Sequence, residues 1–201
     1  MKKLFFLIAA VSVSILSGAR KPEKLNELGV TTLNLNDFGI TYRIGNDKSV
    51  WRFNAVLING SRSKNNDDNM ERTSSACGTG FQVGKERRKK TGEKFELRYG
   101  LDLSFNYNKS KHTGKDNQNQ DNDYKYIVIS YEPGINLVLG FNFVFAENFL
   151  VGAEFLPYIH YTGQINKDYD FRAGEYRITN TRGLVYGLSS NSVRLSLVYR
   201  F

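Results

Sequence analysis

Ten charged side chains occupy alternate positions in segments that are otherwise rich in apolar and aromatic residues. They are Arg43, Arg52, Arg98, Arg194 and Arg200, with Glu86, Glu96, Asp102, Glu132 and Glu154. Charges spaced by two lie on one side of an extended chain. Gathered inside a narrow protein they have two uses, a conducting path or a network that neutralises itself. Burying a charge is costly unless it is paired. Five residues of each sign therefore predict a balanced ion-pair network that fills an interior.

Other candidates for chemistry are weaker. His160 could serve a serine nucleophile as base, but no Ser and carboxylate stand at a recognisable spacing from it, and a polar residue in the interior is the expectation. His112 falls in a polar segment. Gly78-Thr79-Gly80-Phe81-Gln82-Val83-Gly84-Lys85 looks like a phosphate loop, yet it lacks Gly at 83 for one pattern and Gly at 79 for the other. The acidic stretches Asp116 to Asp123 and Asn65 to Asn69 lack the glycine and terminal Glu of a calcium loop. Lys85 to Lys90 holds five basic residues around Glu86, suited to lipid phosphates or anionic polymers. Cys77 is the single cysteine, which excludes a disulfide scaffold and a thiolate metal cluster. No catalytic residue, cofactor or metal site is expected.

The elements that must position these residues have a period of two. Phe95, Leu97, Tyr99, Leu101, Leu103, Phe105 and Tyr107 alternate with Glu96, Arg98, Gly100, Asp102, Ser104 and Asn106. A helix would scatter this stripe around its circumference; a strand places it on one face. Phe38 to Ile44, Trp51 to Leu57, Ile127 to Phe145, Phe149 to Phe155 and Val193 to Phe201 repeat the pattern. The chain has 201 residues, 14 Phe and 12 Tyr, with 24% charged residues and a mean hydropathy of −0.44. A polar average with many aromatics fits a soluble β-sandwich or a membrane barrel, whose wet lining dilutes its apolar belt. The stripes favour the barrel, because a transmembrane strand needs about 9–11 residues and ordinary strands average about 5–6.

The N-terminus points to export. Lys2 and Lys3 precede an apolar run from Leu4 to Leu16 and then Ser17-Gly18-Ala19. This is the pattern of a secretory signal peptide over residues 1–19, too short for a spanning helix. Its removal lowers the formal net charge from +8 to +6. Nucleic acid is an unsuitable partner for such an exported chain.

Residues 20–201 then form one domain, an all-β, eight-stranded antiparallel up-and-down transmembrane β-barrel with long extracellular loops. Strands are expected at about 27–33, 37–45, 49–60, 78–89, 93–108, 124–145, 149–162 and 181–201. Short turns near 46–48, 90–92 and 146–148 alternate with long polar loops at about 61–77, 109–123 and 163–180, as periplasmic turns alternate with extracellular loops in such barrels. Strand parity requires the weakly patterned first strand and a tight outer turn at 34–36. Ser189-Ser190-Asn191 reads as a bulge in the last strand. Eight strands leave an interior filled by side chains.

The closing residues Val193, Leu195, Leu197, Tyr199 and Phe201 resemble the terminal signature of bacterial outer-membrane barrels. The hairpin from Pro133 to Tyr161 and the closing strand from Gly183 to Phe201 resemble the OmpX/OmpA-like outer membrane protein beta-barrel family over about residues 25–201. The resemblance implies a location in the bacterial outer membrane, with its lipid and lipopolysaccharide as partners. It also implies that Phe201, Tyr199 and Leu197 carry a folding signal for the barrel-assembly machinery. A structural or surface-interaction role through the extracellular loops is the expectation, without catalysis. The alternatives are a lipid A-modifying enzyme and a small ion-conducting channel.

Overall fold

The computed structural model describes residues 24–33, 37–67, 70–116, 123–171, 174–188 and 192–201. The signal-peptide reading, the outer turn at 34–36 and the bulge at 189–191 lie outside them. The strands are β1 (Leu25–Leu33), β2 (Asp37–Gly45), β3 (Ser49–Asn66), β4 (Met70–Lys90), β5 (Phe95–Asp116), β6 (Tyr124–Ala146), β7 (Phe149–Phe155), β8 (Tyr158–Asp170), β9 (Glu175–Gly187) and β10 (Val193–Arg200).

Each strand pairs antiparallel with its neighbours, and β1 pairs with β10 to close a ring in the order β1-β2-β3-β4-β5-β6-β7-β10. The ring has eight members. β8 continues β7 upward beyond Leu156 and Pro157, on an unchanged register against β6. β9 is the upper part of the stave that β10 completes. There the register shifts: Tyr158 faces Gly187 and Phe155 faces Val193, so three residue steps on one side meet six on the other. Gly187, with φ 146°, sits where this shift begins, a backbone geometry that favours glycine.

The register fixes the tilt. Tyr199 faces Phe149 on one side. On the other it leads through Leu28, Tyr42, Phe53, Val83, Leu103 and Ile135 to Ile159, ten residues further along the same stave. A stagger of ten over eight strands inclines them by about 40°. The outward apolar run from Phe95 to Tyr107 then rises about 30 Å at ~3.3 Å per residue, the thickness of a hydrocarbon core.

Burial is inverted relative to a water-soluble fold. The largest fully buried side chains are Arg43, Arg52, Arg98 and Arg194. Their neighbours Leu101 and Leu103 are 58% and 66% exposed. Such an outer wall is stable where lipid covers it, and in lipid every backbone group must be bonded internally, which ring closure achieves. At the end holding Leu25, Phe201 and the short turns, Phe95 packs on Phe143, Phe145 on Phe149, Phe149 on Tyr199 and Tyr199 on Phe201. This is an aromatic girdle of the kind that sits at a membrane interface.

The strands run further outward than the alternation predicts. The segments expected as long loops at 61–77, 109–123 and 163–180 are largely ladders of the β3–β4, β5–β6 and β8–β9 hairpins. A ladder needs only backbone partners. Once the wall rises above the lipid both faces are wet, so the apolar stripe ends while the strand does not. The strand expected at 149–162 is interrupted where Pro157 cannot donate to the ladder; Leu156 N donates instead to Ser192 O at 2.7 Å.

Inward glycines make room for the charged filling. A Cβ on Gly152 would stand 2.5 Å from Ser196 Oγ, 2.9 Å from Asn142 Oδ1 and 3.1 Å from Arg98 Nη2. The substitution Gly152→Leu is therefore expected to cost at least about 1–3 kcal/mol by overpacking, read as a lower urea midpoint in vesicles. An unchanged midpoint would show a looser interior than this packing implies.

Candidate functional site

The inward positions of the ring assemble one network of guanidinium and carboxylate groups. Glu154 on β7 is its centre. Arg43 Nη2 donates to Oε1 at 3.0 Å and Arg98 Nη2 to the same oxygen at 2.9 Å. Arg52 Nη2 donates to Oε2 at 2.6 Å, and Arg194 Nη1 lies 3.9 Å from that oxygen. Glu86 on β4 accepts from Arg52 Nη1 at 3.0 Å, Arg88 Nε at 2.7 Å and Arg98 Nη1 at 3.3 Å. Asp102 on β5 pairs with Arg52 Nε at 3.2 Å.

A second group lies at the end near Leu25 and Phe201. Glu27 on β1 takes both terminal nitrogens of Arg88 at 2.7 Å each, the bidentate geometry that strengthens such pairs. It also accepts from Arg200 Nε at 3.0 Å and Arg43 Nη1 at 3.4 Å. Glu96 accepts from Arg200 Nη2 at 3.0 Å and from Asn142 Nδ2 at 3.1 Å. Arg194 Nη2 donates to Gln82 Oε1 at 2.8 Å.

The local cause is alternation. Along β4 the inward positions are Gln82, Gly84, Glu86 and Arg88; along β5 they are Glu96, Arg98, Gly100, Asp102 and Ser104. Glycine and serine are interspersed among the large charged groups, so guanidiniums reach across the bore. Arg52 on β3 meets Glu154 on β7, halfway around the ring, so the bond spans the lumen's diameter. Leu25, Val50, Leu150 and Val198 are buried among these charges.

Nine of the ten charged residues singled out in the sequence are brought together here. Glu132 is not: it stands half-buried on β6, opposite Asn106, with no ion pair among the described residues. Two members escaped the sequence reading. Glu27 lies in the weakly patterned first strand, although its parity with Gly29 and Thr31, against outward Leu28 and Val30, marks it as inward. Arg88 was masked by its basic neighbours. Parity from Glu86 sends Arg88 inward and Lys85, Arg87 and Lys89 outward. With these two, the network holds six arginines and five carboxylates among the described residues.

Further out, His160 Nε2 lies 2.9 Å from Asn136 Oδ1 and 3.3 Å from Ser104 Oγ. Both contacts fall on the same ring nitrogen, whose role as donor or acceptor follows the tautomer. Ser104 is buried inside the bore. Among the described residues no carboxylate hydrogen-bonds the His160 ring, so the third member of a serine triad is not assembled there. Above the network an open hollow of about 350 Å³ is lined by Ser61, Ala76, Gly78, Asn108, Ser110 and Ser130 among others. Among the described residues no three His, Cys, Asp or Glu converge as a metal would require. Leu197, Tyr199 and Phe201 all face outward, 52%, 42% and 60% exposed.

No family model matches the chain, so the resemblance to the OmpX/OmpA-like family has no support from that side, and no curated protein matches it at a significant level. Among solved structures it is similar to a major outer membrane protein from Thermus thermophilus, with 11% identity, 89% of this chain and 98% of that one covered, and a TM-score of 0.48. It is also similar to Acinetobacter baumannii CarO, with 12% identity, coverage of 92% and 99%, and a TM-score of 0.32. CarO2 of the same organism gives 10%, 90% and 98%, and 0.34.

Proposed function

We propose that this protein is an integral barrel of the bacterial outer membrane whose lumen is closed, and that it acts through the three outward hairpins as a structural or surface-interaction element. The observation that carries the closed lumen is the set of direct bonds across the bore, above all Arg52 to Glu154 at 2.6 Å. An ion path must leave room for hydrated ions, and here the centre is occupied by bonded side chains. The exported N-terminal pattern and the outward apolar belt support the location. Lipid and lipopolysaccharide are the partners the wall meets. Phe201, Tyr199 and Leu197 are the residues we assign to recognition by the assembly machinery.

The β3–β4 hairpin rises beyond the belt with Ser, Thr, Asn and Lys on both faces, and exposed Tyr124, Tyr176 and Ile178 join the polar residues of the other two, a surface suited to a ligand or a neighbouring cell envelope. The chain refolded in planar bilayers is expected to give no conductance steps above the lipid baseline. Steady wild-type channels would overturn the closed-lumen reading. Shortening the β5–β6 hairpin above Tyr107 and Tyr131 should leave heat-modifiable gel migration intact and abolish surface binding.

A further inference from the structure

The outer wall breaks its own rule on one strand. On β4 the outward positions run Phe81, Val83, Lys85, Arg87 and Lys89. Lys85 lies in register between Trp51 on β3 and Leu101 on β5. Arg87 lies between Ser49 and Tyr99, and Lys89 beside Leu97. Trp51, Leu97, Tyr99 and Leu101 are all exposed belt residues. Three cations therefore interrupt a surface that acyl chains must otherwise cover. None of the three has a carboxylate partner among the described residues. Lys85 Nζ lies 5.6 Å from the centre of the Trp51 ring, its one described charge-compensating contact.

The geometry points to an anionic phospholipid bound on this face, in the leaflet next to the short turns, with its phosphodiester held by Arg87 and Lys89, with Lys85 bending down toward it beside the Trp51 ring, and its acyl chains lying along Trp51, Tyr99 and Leu101. Long basic side chains bend toward the headgroup layer and keep their stems on apolar surface. A phosphodiester there supplies the negative charge that the wall lacks. A polyanion arriving from the aqueous side would meet the rim, where Lys90, already paired with Asp47 at 3.3 Å, and Lys94 stand beside Glu93. It would not meet Arg87, which lies deeper, level with Tyr99. This site rests on the bilayer-spanning wall and is independent of the closed lumen, so a conducting barrel would leave it standing.

The test uses the full processed chain, refolded in micelles of mixed phosphatidylcholine and phosphatidylglycerol, with retained lipids counted by native mass spectrometry. Wild type is expected to retain phosphatidylglycerol preferentially. The triple variant Lys85→Gln, Arg87→Gln, Lys89→Gln is expected to lose that preference by about ten-fold or more, since each cation near an anionic lipid surface contributes several-fold. Lys64→Gln, Lys109→Gln, Lys111→Gln, with the same charge loss on the outward hairpins, should retain it. Heat-modifiable migration checks the fold of each variant, and Arg87→Gln alone serves if the triple variant does not fold. Equal retention of the two lipids by wild type overturns the proposal, as does a folded β4 variant that keeps its preference. So does release of phosphatidylglycerol by millimolar inorganic phosphate, which would make the ligand a free anion. Loss on Lys90→Gln, Lys94→Gln with none on Arg87→Gln would assign a rim-bound polyanion and overturn it too.

Discussion

Replacing Glu154 by alanine is expected to lower the unfolding free energy of the barrel by about 3–5 kcal/mol, the loss that follows when a buried ion pair is broken from one side. Four arginines face this carboxylate: Arg43, Arg52, Arg98 and Arg194. All are fully buried and cannot move to water without opening the ring. Glu86 and Asp102 remain as partners for Arg52, and Glu86 for Arg98. For Arg194, however, Glu154 is the only carboxylate within ion-pair distance among the described residues. The measurement is urea unfolding in vesicles, followed by the single Trp51. The same experiment separates the worth of the pair from the harm of breaking it. Arg194→Met together with Glu154→Leu should recover part of the loss, because apolar filling of similar volume often replaces a buried pair at little cost. A loss under about 1 kcal/mol for Glu154→Ala would mean the network does not hold the interior.

The second large effect concerns the opposite face. Leu139 on β6 points outward between Tyr99 and Phe155, near mid-height of the belt and away from the basic strip on β4. Leu139→Lys is expected to cost about 2–4 kcal/mol, the penalty for a cation at the bilayer midplane. Phe145→Lys, at the girdle, should cost only about 0–1 kcal/mol. Refolding titrations in thin phosphatidylcholine vesicles measure both. Equal costs at the two depths would contradict the assignment of β6's outward face to lipid.

Alternation made most of this molecule legible in advance, because a wall with lipid on one side and a packed bore on the other imposes a period of two wherever it crosses the belt. The strand from Phe95 to Tyr107 could be read residue by residue. Legibility ended where one of the two environments did. Above the belt both faces of β3, β4, β8 and β9 meet water, so Ser61 to Asn66 reads as loop although it is paired throughout. Glu27 escaped because its strand is short and only two apolar residues, Leu28 and Val30, flank its inward parity clearly. Arg88 escaped because a run of basic residues hides parity from composition. The pairing of particular arginines with particular carboxylates lay beyond the sequence, since it depends on a stagger of ten that no single strand encodes.

The short seam between the first and last staves sets the order of events as the chain folds. β1 and β10 share seven paired residues, sealed by Asn26 and Phe201 exchanging backbone hydrogen bonds at 3.2 and 2.9 Å and by Arg200 with Glu27, 173 positions apart. Every other ladder in the ring joins sequence neighbours or near neighbours and can zip from its own turn. The seam cannot nucleate locally, and the loop it closes is nearly the whole chain, so it carries the largest entropic cost of any pairing. Until it forms, β1 and β10 each present an open edge. The last contact to arrive is thus the one that converts a curled sheet into a closed ring.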